Sequence, residues 1–371
     1  MIKVSRGCLG SEELVEVQSA FEYGYFGLAS KVDEFEEALR DYLEASHVIA
    51  TNTGTTALHL ALDALGVGAG DEVIVPSLTF VASFQAISAA GAKPVSCEVL
   101  PDTLLMDMKD VENRLTAKTK AVMPVHYAGN PCDMNTLCKL KDAHGFHIVE
   151  DAAHAFGSTY NGNKIGGFGD IACFSFDSIK NITCGEGGAI VCNDESLDRL
   201  LRTKRLLGME REAQTSESWK ERGWMYDVVS QGFRYHMSNI NAAIGLAQLR
   251  KADRFIARRR EICKTYDEAF QGTSGIKRLS INYSVVAPHI YVIRVLEGRR
   301  DALSQFLKNK DIETGVAYIP NHFHSFYREE GLVLPETEKA FEEILSLPLH
   351  FEISDEDLQC VIDSVSEFMA N

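Results

Sequence analysis

Between about residues 47 and 205, short apolar and β-branched runs alternate with longer segments whose apolar residues recur at helical spacing. The short runs are HVIAT, DEVIVP, KAVMPV, FHIVED, IACFSF and AIVCN, and the longer segments are TALHLALDAL, FVASFQAISAA, MNTLCKLKDAHG and LDRLLRTKRLL. This alternation predicts a mainly parallel β-sheet with helices on its faces. We therefore expect functional side chains at the carboxyl ends of the strands, where the connecting loops form a crevice.

The pattern changes in the second half of the chain. Residues 208–230 are polar and predict a loop, and the Ala- and charge-rich stretch that begins at Ser238 predicts one long helix. Farther on, HIYVIRVLE and GVAYIP predict strands, and a helix is expected after Arg299. Ser354, followed three residues later by Asp357, predicts the start of a last helix. One face of that helix carries Leu358, Val361, Ile362, Val365 and Met369.

These patterns and the length of 371 residues predict two packed domains, because one hydrophobic core rarely organises so long a chain. The large α/β domain is expected over residues 1–250, with its N-terminal segment against the smaller α/β domain over residues 251–371. We find no repeat of fixed period and no low-complexity linker, so the domains should share a packed interface.

Composition excludes several classes of protein. Hydrophobic residues make up 45% and charged residues 24% of the chain, as in ordinary globular proteins. A net charge of −16 argues against a nucleic-acid partner, because phosphate binding needs clustered Lys and Arg. Nine cysteines without a C-x-x-C pair support neither a disulfide framework nor a zinc site. No apolar run would span a membrane and the N-terminus lacks a signal peptide's apolar region, so we expect a cytoplasmic protein.

The segment FSFDSIKNITCGEGG, residues 174–188, has the strongest chemical signal. A buried strand leads into a turn that carries Ser175, Lys180 and several glycines. A lysine that is partly removed from water there can attack a carbonyl as an uncharged amine and form a Schiff base. The glycines allow the backbone to approach a ligand closely. A single lysine is more often a solvated surface charge, so Lys180 has to be judged with its neighbours.

A second segment, IVEDAAHAFGS, brings Glu150 and Asp151 to the end of a strand. A carboxylate at this position can pair with a protonated pyridine nitrogen and make the ring a better electron sink. Acids at strand ends also serve as helix N-caps, and His154 by itself fits a core histidine.

A third segment, ATNTGTTALHLALDALG, places Gly54, Thr55 and Thr56 where a strand turns into a helix. Free backbone N–H groups and the helix dipole favour a bound phosphate there, although an ordinary Thr N-cap gives the same pattern. Phe80, in PSLTFVAS, either stacks on a planar ring or joins the core.

Taken together, these segments resemble the DegT/DnrJ/EryC1/StrS family of sugar aminotransferases, a branch of the fold-type I pyridoxal-phosphate enzymes. The resemblance covers nearly the whole chain and follows the order and spacing of many motifs. These include TNTGTTALHLAL, DEVIVPSLTFVAS, VEDAAHAFGSTYNG, KNITCGEGG, MSNINAAIGLAQL and YIPNHFH. It implies pyridoxal 5'-phosphate as the cofactor and a homodimer whose two subunits complete each site.

Carried over position by position, the resemblance makes Lys180 the lysine that binds the cofactor and moves the proton. It pairs Asp151 with the pyridine nitrogen and places Phe80 against the ring and His154 near the phenolic oxygen. The residues that it assigns to the cofactor phosphate are Thr55, Thr56 and Ser175, beside Gly54 of the same turn as a cofactor-binding residue. Some relatives have a histidine in place of the lysine and are dehydratases, and Lys180 argues against that activity here.

Three positions differ from the common family pattern. Many relatives have Gln where this chain has His154, which can also change its charge. Where relatives read GYNYRM, with an Asn that reaches the partner's phosphate, this chain reads GFRYHM and offers Arg234, which could contact a phosphate through two hydrogen bonds. The usual TGP-like loop is GLAS at residues 27–30, so its nucleotide contacts stay open.

The resemblance also indicates a reaction. L-Glutamate gives its amino group to C4 of a nucleotide-linked 4-keto-6-deoxyhexose, with dTDP-4-keto-6-deoxyglucose as the best candidate, for surface polysaccharide (O-antigen) synthesis. The GEGG form after Lys180 is typical of relatives that aminate C4. Tyr318 and His322, in YIPNHFH, match positions near the sugar nucleotide, with an exposed residue without a role as the alternative for His322. Amination of a C3-keto sugar or a cyclitol, and a non-catalytic regulator that binds the cofactor, remain open.

Overall fold

The computed structural model describes residues 1–210 and 225–370. Its largest sheet has seven strands, which are β1 His47–Thr51, β2 Glu72–Pro76, β3 Lys93–Cys97, β4 Thr119–Val122, β5 His147–Asp151, β8 Ile171–Ser175 and β9 Gly188–Cys192. Their order in the sheet is β1-β9-β8-β5-β4-β2-β3. Every neighbouring pair is parallel except the two that involve β9. The prediction of a mainly parallel sheet is therefore confirmed.

Helices cover this sheet and extend into the N-terminal and central parts of the chain. They are α1 Ser11–Tyr23, α2 Ser30–Leu43, α3 Gly54–Ala64, α4 Val81–Ala89, α5 Met108–Arg114, α6 Met134–His144, α7 Glu195–Arg205, α8 Asn239–Leu249 and α9 Ala252–Ala269. The long helix predicted from Ser238 is in fact two, α8 and α9. At the break, the Lys251 side chain forms ion pairs with Glu12 and Glu13 of α1.

A second, antiparallel sheet lies in the C-terminal part, with the order β12-β13-β14. Its strands are β12 Ile276–Arg278, β13 Tyr291–Val295 and β14 Ile344–Leu347, and its helices are α10 Arg300–Asn309, α11 Pro335–Glu343 and α12 Asp355–Ala370. The strand predicted at GVAYIP is absent, because only Gly315 pairs there, in a single bridge to Ser346. The first residues of the chain lie beside this sheet, where Ile2 forms a bridge with Ile312. The domain boundary at residues 250/251 stays a prediction.

The described residues also contain two short antiparallel strand pairs: β6 Thr159–Tyr160 with β7 Asn163–Lys164, and β10 Met209–Glu210 with β11 Asp227–Val228. Most of the polar stretch predicted as a loop over residues 208–230 falls outside the described residues. All nine cysteines lie within the described part and are free. Among the described helices, none combines the length and the apolar character that a membrane span requires.

A buried ion-pair network ties α2 and α7 to the edge strand β1. The Glu36 carboxylate, 6% exposed, pairs with Arg202 and with Arg205, which is 4% exposed. Glu36 also accepts a hydrogen bond of 2.8 Å from the Ala50 N–H, and Arg205 donates one of 2.7 Å to the Ala50 carbonyl. The network thus holds the carboxyl end of β1, which leads into the turn before α3.

We predict that Glu36→Ala strongly destabilises the apoprotein, because it leaves the Arg205 guanidinium buried without a counter-charge. Loss of one member of a buried pair lowers the free energy of unfolding by about 3–5 kcal/mol, which equilibrium urea unfolding measures. The control is Arg199→Gln, which breaks the exposed Arg199–Glu195 pair on α7 and should change that free energy by less than about 0.5 kcal/mol. Equal effects of the two substitutions would contradict the prediction.

Candidate active site

A cavity of about 350 Å³ opens at the carboxyl ends of the central strands of the large sheet. It brings together side chains that lie far apart in the sequence. The residues that line it are Thr53, Gly54, Thr55, Leu58, Thr79, Phe80, Ala82, Val125, Asp151, Ala153, His154, Ser175, Asp177, Ile179, Lys180, Glu186 and Tyr318. Most of the residues proposed from the sequence therefore meet at one place.

The alternation of side chains along β5 separates its two terminal carboxylates. Asp151 faces the cavity, whereas Glu150 is fully buried away from it. Glu150 lies 2.9 Å from the His126 ring and accepts hydrogen bonds from the backbone N–H groups of Phe168 and Gly169. Since these contacts satisfy Glu150, Asp151 is the carboxylate that can interact with a ligand.

One hydroxyl group and one backbone N–H hold Asp151 in place. Ser83, in the first turn of α4, donates a hydrogen bond of 2.7 Å to one carboxylate oxygen, and the Ala153 N–H donates one of 3.1 Å to the other. The Ser83 hydroxyl lies 3.2 Å from that of Thr79. A carboxylate fixed in this way needs little rearrangement to accept a proton donor from a ring.

The turn before α3 forms one wall of the cavity. The Thr53 and Thr56 side chains cap the helix reciprocally, so the Thr56 hydroxyl is used inside the protein. Among the described residues, the N–H groups of Gly54 and Thr55 have no hydrogen-bond partner. A helix N-terminus with free N–H groups favours an anion. A Cβ at Gly54 would lie 2.8 Å from the Ser175 Cβ, so only glycine lets Ser175 approach this turn.

Lys180 lies in the loop between β8 and β9, and its amine points into the same cavity. Burial lowers the pKa of Lys180 to about 8, against the opposing effect of the Asp151 and Asp177 carboxylates. The Nζ atom lies 3.5 Å from the His289 Nε2 atom. Schiff-base formation requires an amine that is partly uncharged, and the buried position of Lys180 provides one.

The hydrogen bonds of His154 define which atoms carry protons. Burial first, and then the Lys180 charge, hold the pKa of His154 well below its usual value, so the ring is neutral. The Ala128 N–H donates to His154 Nδ1 over 3.3 Å, which puts the ring proton on Nε2. That proton points at the Tyr318 hydroxyl oxygen, 2.8 Å away. The Tyr318 O–H is then free to donate into the cavity, and burial raises its pKa.

Phe80 is not part of the core. Its side chain is 56% exposed and lies at the cavity, with its ring centroid 5.6 Å from that of Tyr318. An aromatic face that remains exposed at a cavity wall is available to stack on a planar ring.

Three residues assigned from the sequence do not line the cavity. Thr56 uses its hydroxyl in the helix cap. Arg234 is exposed, and its backbone forms a bridge with Leu206. His322 is 5% exposed and lies behind the loop that precedes Phe80, with its Nδ1 atom 2.7 Å from the Ser77 hydroxyl.

The fold brings to this site several residues that were not predicted from the sequence. Asp177 and Glu186 flank Lys180 in the chain and line the cavity, and the acidic Glu of GEGG was a signal that could have identified one of them. Ser83 forms a hydrogen bond with Asp151, and His289 contacts the Lys180 amine. Nothing in their local sequence distinguishes them from ordinary buried residues.

These groups fit pyridoxal phosphate. The cofactor needs an anion site, an acid partner for its ring nitrogen, a flat apolar surface and an amine. The Gly54–Thr55 turn, Asp151, Phe80 and Lys180 supply one of each around a single cavity. The close approach of Ser175 to Gly54, which a Cβ would prevent, is the local feature that best matches a phosphate cradle.

Comparison with known proteins supports the same conclusion. The DegT/DnrJ/EryC1/StrS aminotransferase family matches residues 7–366. The structure is similar to the aminotransferase TlmJ of Streptoalloteichus hindustanus, with a TM-score of 0.93 and 35% identity over 100% of this chain and 99% of that one. It is equally similar to the putative sugar aminotransferase Spr1654 of Streptococcus pneumoniae in its PMP form, with a TM-score of 0.93 and 32% identity over all of both chains. An uncharacterised protein of Methanocaldococcus jannaschii, MJ1066, is 36% identical over 98% of this chain and 97% of its own.

We predict that attachment of pyridoxal phosphate to the apoprotein accelerates as the pH rises through about 8, because only the uncharged Lys180 amine reacts. The rate constant, followed by absorbance after rapid mixing, should increase about tenfold between about pH 7 and about pH 9 and then level off. Nα-acetyllysine under the same conditions corrects for ionisation of the cofactor. A corrected rate that keeps rising toward the pKa of an ordinary lysine would refute the shift.

We predict that Gly188→Ala weakens cofactor binding. A Cβ at this position would lie 2.4 Å from the Thr53 carbonyl oxygen and 2.8 Å from the Gly54 nitrogen, so the turn before α3 would have to move. We expect the Kd for pyridoxal phosphate, from fluorescence titration, to rise about tenfold or more. The control is Gly68→Ala, whose Cβ would meet nothing closer than 3.9 Å and should leave the Kd unchanged.

Proposed function

Because this chain belongs to the DegT/DnrJ/EryC1/StrS aminotransferase family of pyridoxal-phosphate enzymes, we propose that it transfers the amino group of L-glutamate to a nucleotide-linked keto sugar. The acceptor that we propose is a 4-keto-6-deoxyhexose, with dTDP-4-keto-6-deoxyglucose as the first choice, aminated at C4 for surface polysaccharide. The observation that carries this proposal is the single cavity that joins Lys180, Asp151 and the turn before α3.

We assign the cofactor contacts to residues of this wall. The Asp151 carboxylate would hold the ring nitrogen in its protonated form, and the N–H groups of Gly54 and Thr55 with the Ser175 hydroxyl would hold the phosphate. Phe80 would cover one ring face. When bound, the cofactor supplies an electron sink for the carbon from which a proton is removed.

Lys180 is the group to which we assign the proton transfer. An amine whose pKa is about 8 is present in both its charged and its uncharged form near neutral pH, so it can accept and return a proton. The neutral His154 fixes the direction of the neighbouring Tyr318 O–H, which makes Tyr318 a hydrogen-bond donor to an oxygen of the cofactor or the substrate. His154 then acts as a neutral donor and not as a group that changes charge.

The choice of sugar rests on the GEGG segment. Glu186 of the GEGG segment lines the cavity, where its carboxylate could accept hydrogen bonds from sugar hydroxyls. Together with the resemblance to C4-aminating relatives, this favours a 4-keto sugar over a 3-keto sugar or a cyclitol. The match to an aminotransferase family over residues 7–366 favours an enzyme over a regulator without turnover.

The charges of the cavity argue that a second copy of the chain completes the site. Of the described residues that line it, Asp151, Asp177 and Glu186 carry carboxylates, and Lys180 is the only cation. The proposed cofactor and substrates bring phosphates and carboxylates, so positive charge is missing. Arg234 is exposed and forms no ion pair within the described part of the chain, which makes it a candidate to reach the partner's phosphate.

Exposed aromatic residues near the N-terminus support this dimer. Phe21, Tyr23, Tyr25 and Phe26 are each 47–61% exposed around the end of α1. Large aromatic side chains gathered on a surface are typical of sites that another protein covers. We propose that a second copy covers them in a homodimer.

We predict that the purified holoenzyme converts dTDP-4-keto-6-deoxyglucose and L-glutamate to an amino sugar, detected by mass spectrometry of the product. Lys180→Ala should abolish the product, because the amine that moves the proton is lost. No product from the wild type, although L-glutamate converts the bound cofactor to its aminated form, would keep the aminotransferase and reject this sugar. Failure of both reactions would reject the proposed function.

We predict that two inactive variants complement each other if Arg234 acts across the dimer. Lys180→Ala and Arg234→Ala homodimers should each have low activity, since every site lacks one group. A mixed dimer contains one site with both groups, so co-expression with two affinity tags and isolation of the heterodimer should restore up to about half of the wild-type activity. Heterodimers no more active than the homodimers would place Arg234 outside the partner's site.

A further inference from the structure

His289 is a buried histidine that directly contacts the reactive lysine. It lies two residues before β13 and is 3% exposed. Its Nε2 atom is 3.5 Å from Lys180 Nζ, and its ring centroid is 4.4 Å from that of His154. Within the described residues, it is the only hydrogen-bond partner of the Lys180 amine. The Asp151 and Asp177 carboxylates affect Lys180 by their charge and not by a direct ion pair.

The surroundings of His289 determine its protonation. Burial, and then the charges of Lys180, His154 and Arg259, hold its pKa well below the usual value, so the ring is neutral and carries one proton. A proton on Nε2 would point at the Lys180 amine, which is itself a donor. A proton on Nδ1 leaves the Nε2 lone pair free to accept from the amine in either charge state. The second tautomer is therefore the one that fits this contact, although Nδ1 then has no partner among the described groups.

The backbone keeps His289 in place without help from Lys180. The His289 N–H donates to the Ala128 carbonyl over 3.3 Å, and the His289 carbonyl accepts from Arg259 over 3.1 Å. Asn181, next to Lys180 in the chain, donates to the Ala287 carbonyl over 3.2 Å. Hydrogen bonds outside the Lys180–His289 contact therefore hold the two chain segments that carry these residues together.

We propose that His289 is a positioning residue for Lys180, whose Nε2 lone pair holds the amine at the cavity whenever the lysine is not attached to the cofactor. A lysine side chain has many rotamers, and a free amine would otherwise turn away or bind water. The contact keeps the amine directed at the place where it must accept and return a proton. The inference rests on the role of Lys180 in the proposed function.

The test measures Lys180 in the apoprotein and needs no turnover. The pH dependence of Lys180 acetylation by trace acetic anhydride, measured by peptide mass spectrometry, gives the apparent pKa of the amine. His289→Met removes the acceptor at similar volume, whereas His289→Gln places a carbonyl oxygen where Nε2 was. An acceptor favours the charged amine, so we expect His289→Met to lower the apparent pKa by about half a unit to one unit. We expect His289→Gln to stay close to the wild type.

The matched control is His350→Met. His350 is also a buried histidine whose Nδ1 atom has no partner among the described groups, and its pKa is lowered first by burial and then by Arg259, but it does not contact Lys180. It should leave the acetylation profile of Lys180 unchanged. Melting temperatures of the apoproteins check folding, and His289→Asn, which is too short to reach the amine, replaces the methionine variant if that one unfolds.

Two results would overturn the proposal. One is an acetylation profile of His289→Met, or of its Asn replacement, that coincides with the wild type. The other is a glutamine variant whose profile shifts as far as that of the methionine variant, which would show that packing and not the acceptor matters. Neither result depends on the sugar substrate, so failure of this inference is distinct from failure of the proposed function.

Discussion

The chemistry that we propose for this protein depends on keeping one primary amine out of bulk water without neutralising it in an ion pair. A carboxylate in direct contact would hold Lys180 in its charged form, and full exposure would do the same. The fold avoids both outcomes. Asp151 lies on the same cavity wall but has hydrogen bonds from Ser83 and Ala153, and the side chains that pack near the amine include the neutral rings of His154 and His289.

The two halves of the chain build this environment together. The large sheet supplies the Asp151 carboxylate, the lysine loop and the turn before α3 at the ends of its strands. The C-terminal half supplies His289 and Tyr318, and Asn321 donates hydrogen bonds to the carbonyls of Ser77 and Thr79 in the loop before Phe80. The cavity wall that carries Phe80 is therefore supported by a residue about 240 positions away in the chain.

The local sequence pattern was enough to predict the large sheet and the strand ends that carry candidate site residues. Strand runs such as FHIVED and IACFSF can be recognised from the composition and periodicity of neighbouring residues alone. Asp151 and Ser175 could therefore be placed at strand ends, and Lys180 in the turn that follows. The strand β3 was not predicted, because KPVSC is short and begins with lysine and proline. GVAYIP resembles a strand, but it pairs with a neighbour only through one bridge, from Gly315 to Ser346. Strand formation requires a partner, and the partner is not in the local sequence.

The sequence by itself determined the fold class and the family resemblance and, through that resemblance, the lysine and aspartate that we propose for the reaction. Only the tertiary structure decided that Glu150 is satisfied by His126 and two backbone N–H groups, that His322 supports a loop from behind, and that His289 touches the lysine. The physical reason is that periodicity encodes which residues share a face of one element. Contacts between elements depend instead on how those faces pack, and residues as far apart as Lys180 and His289 carry no local sign of their meeting.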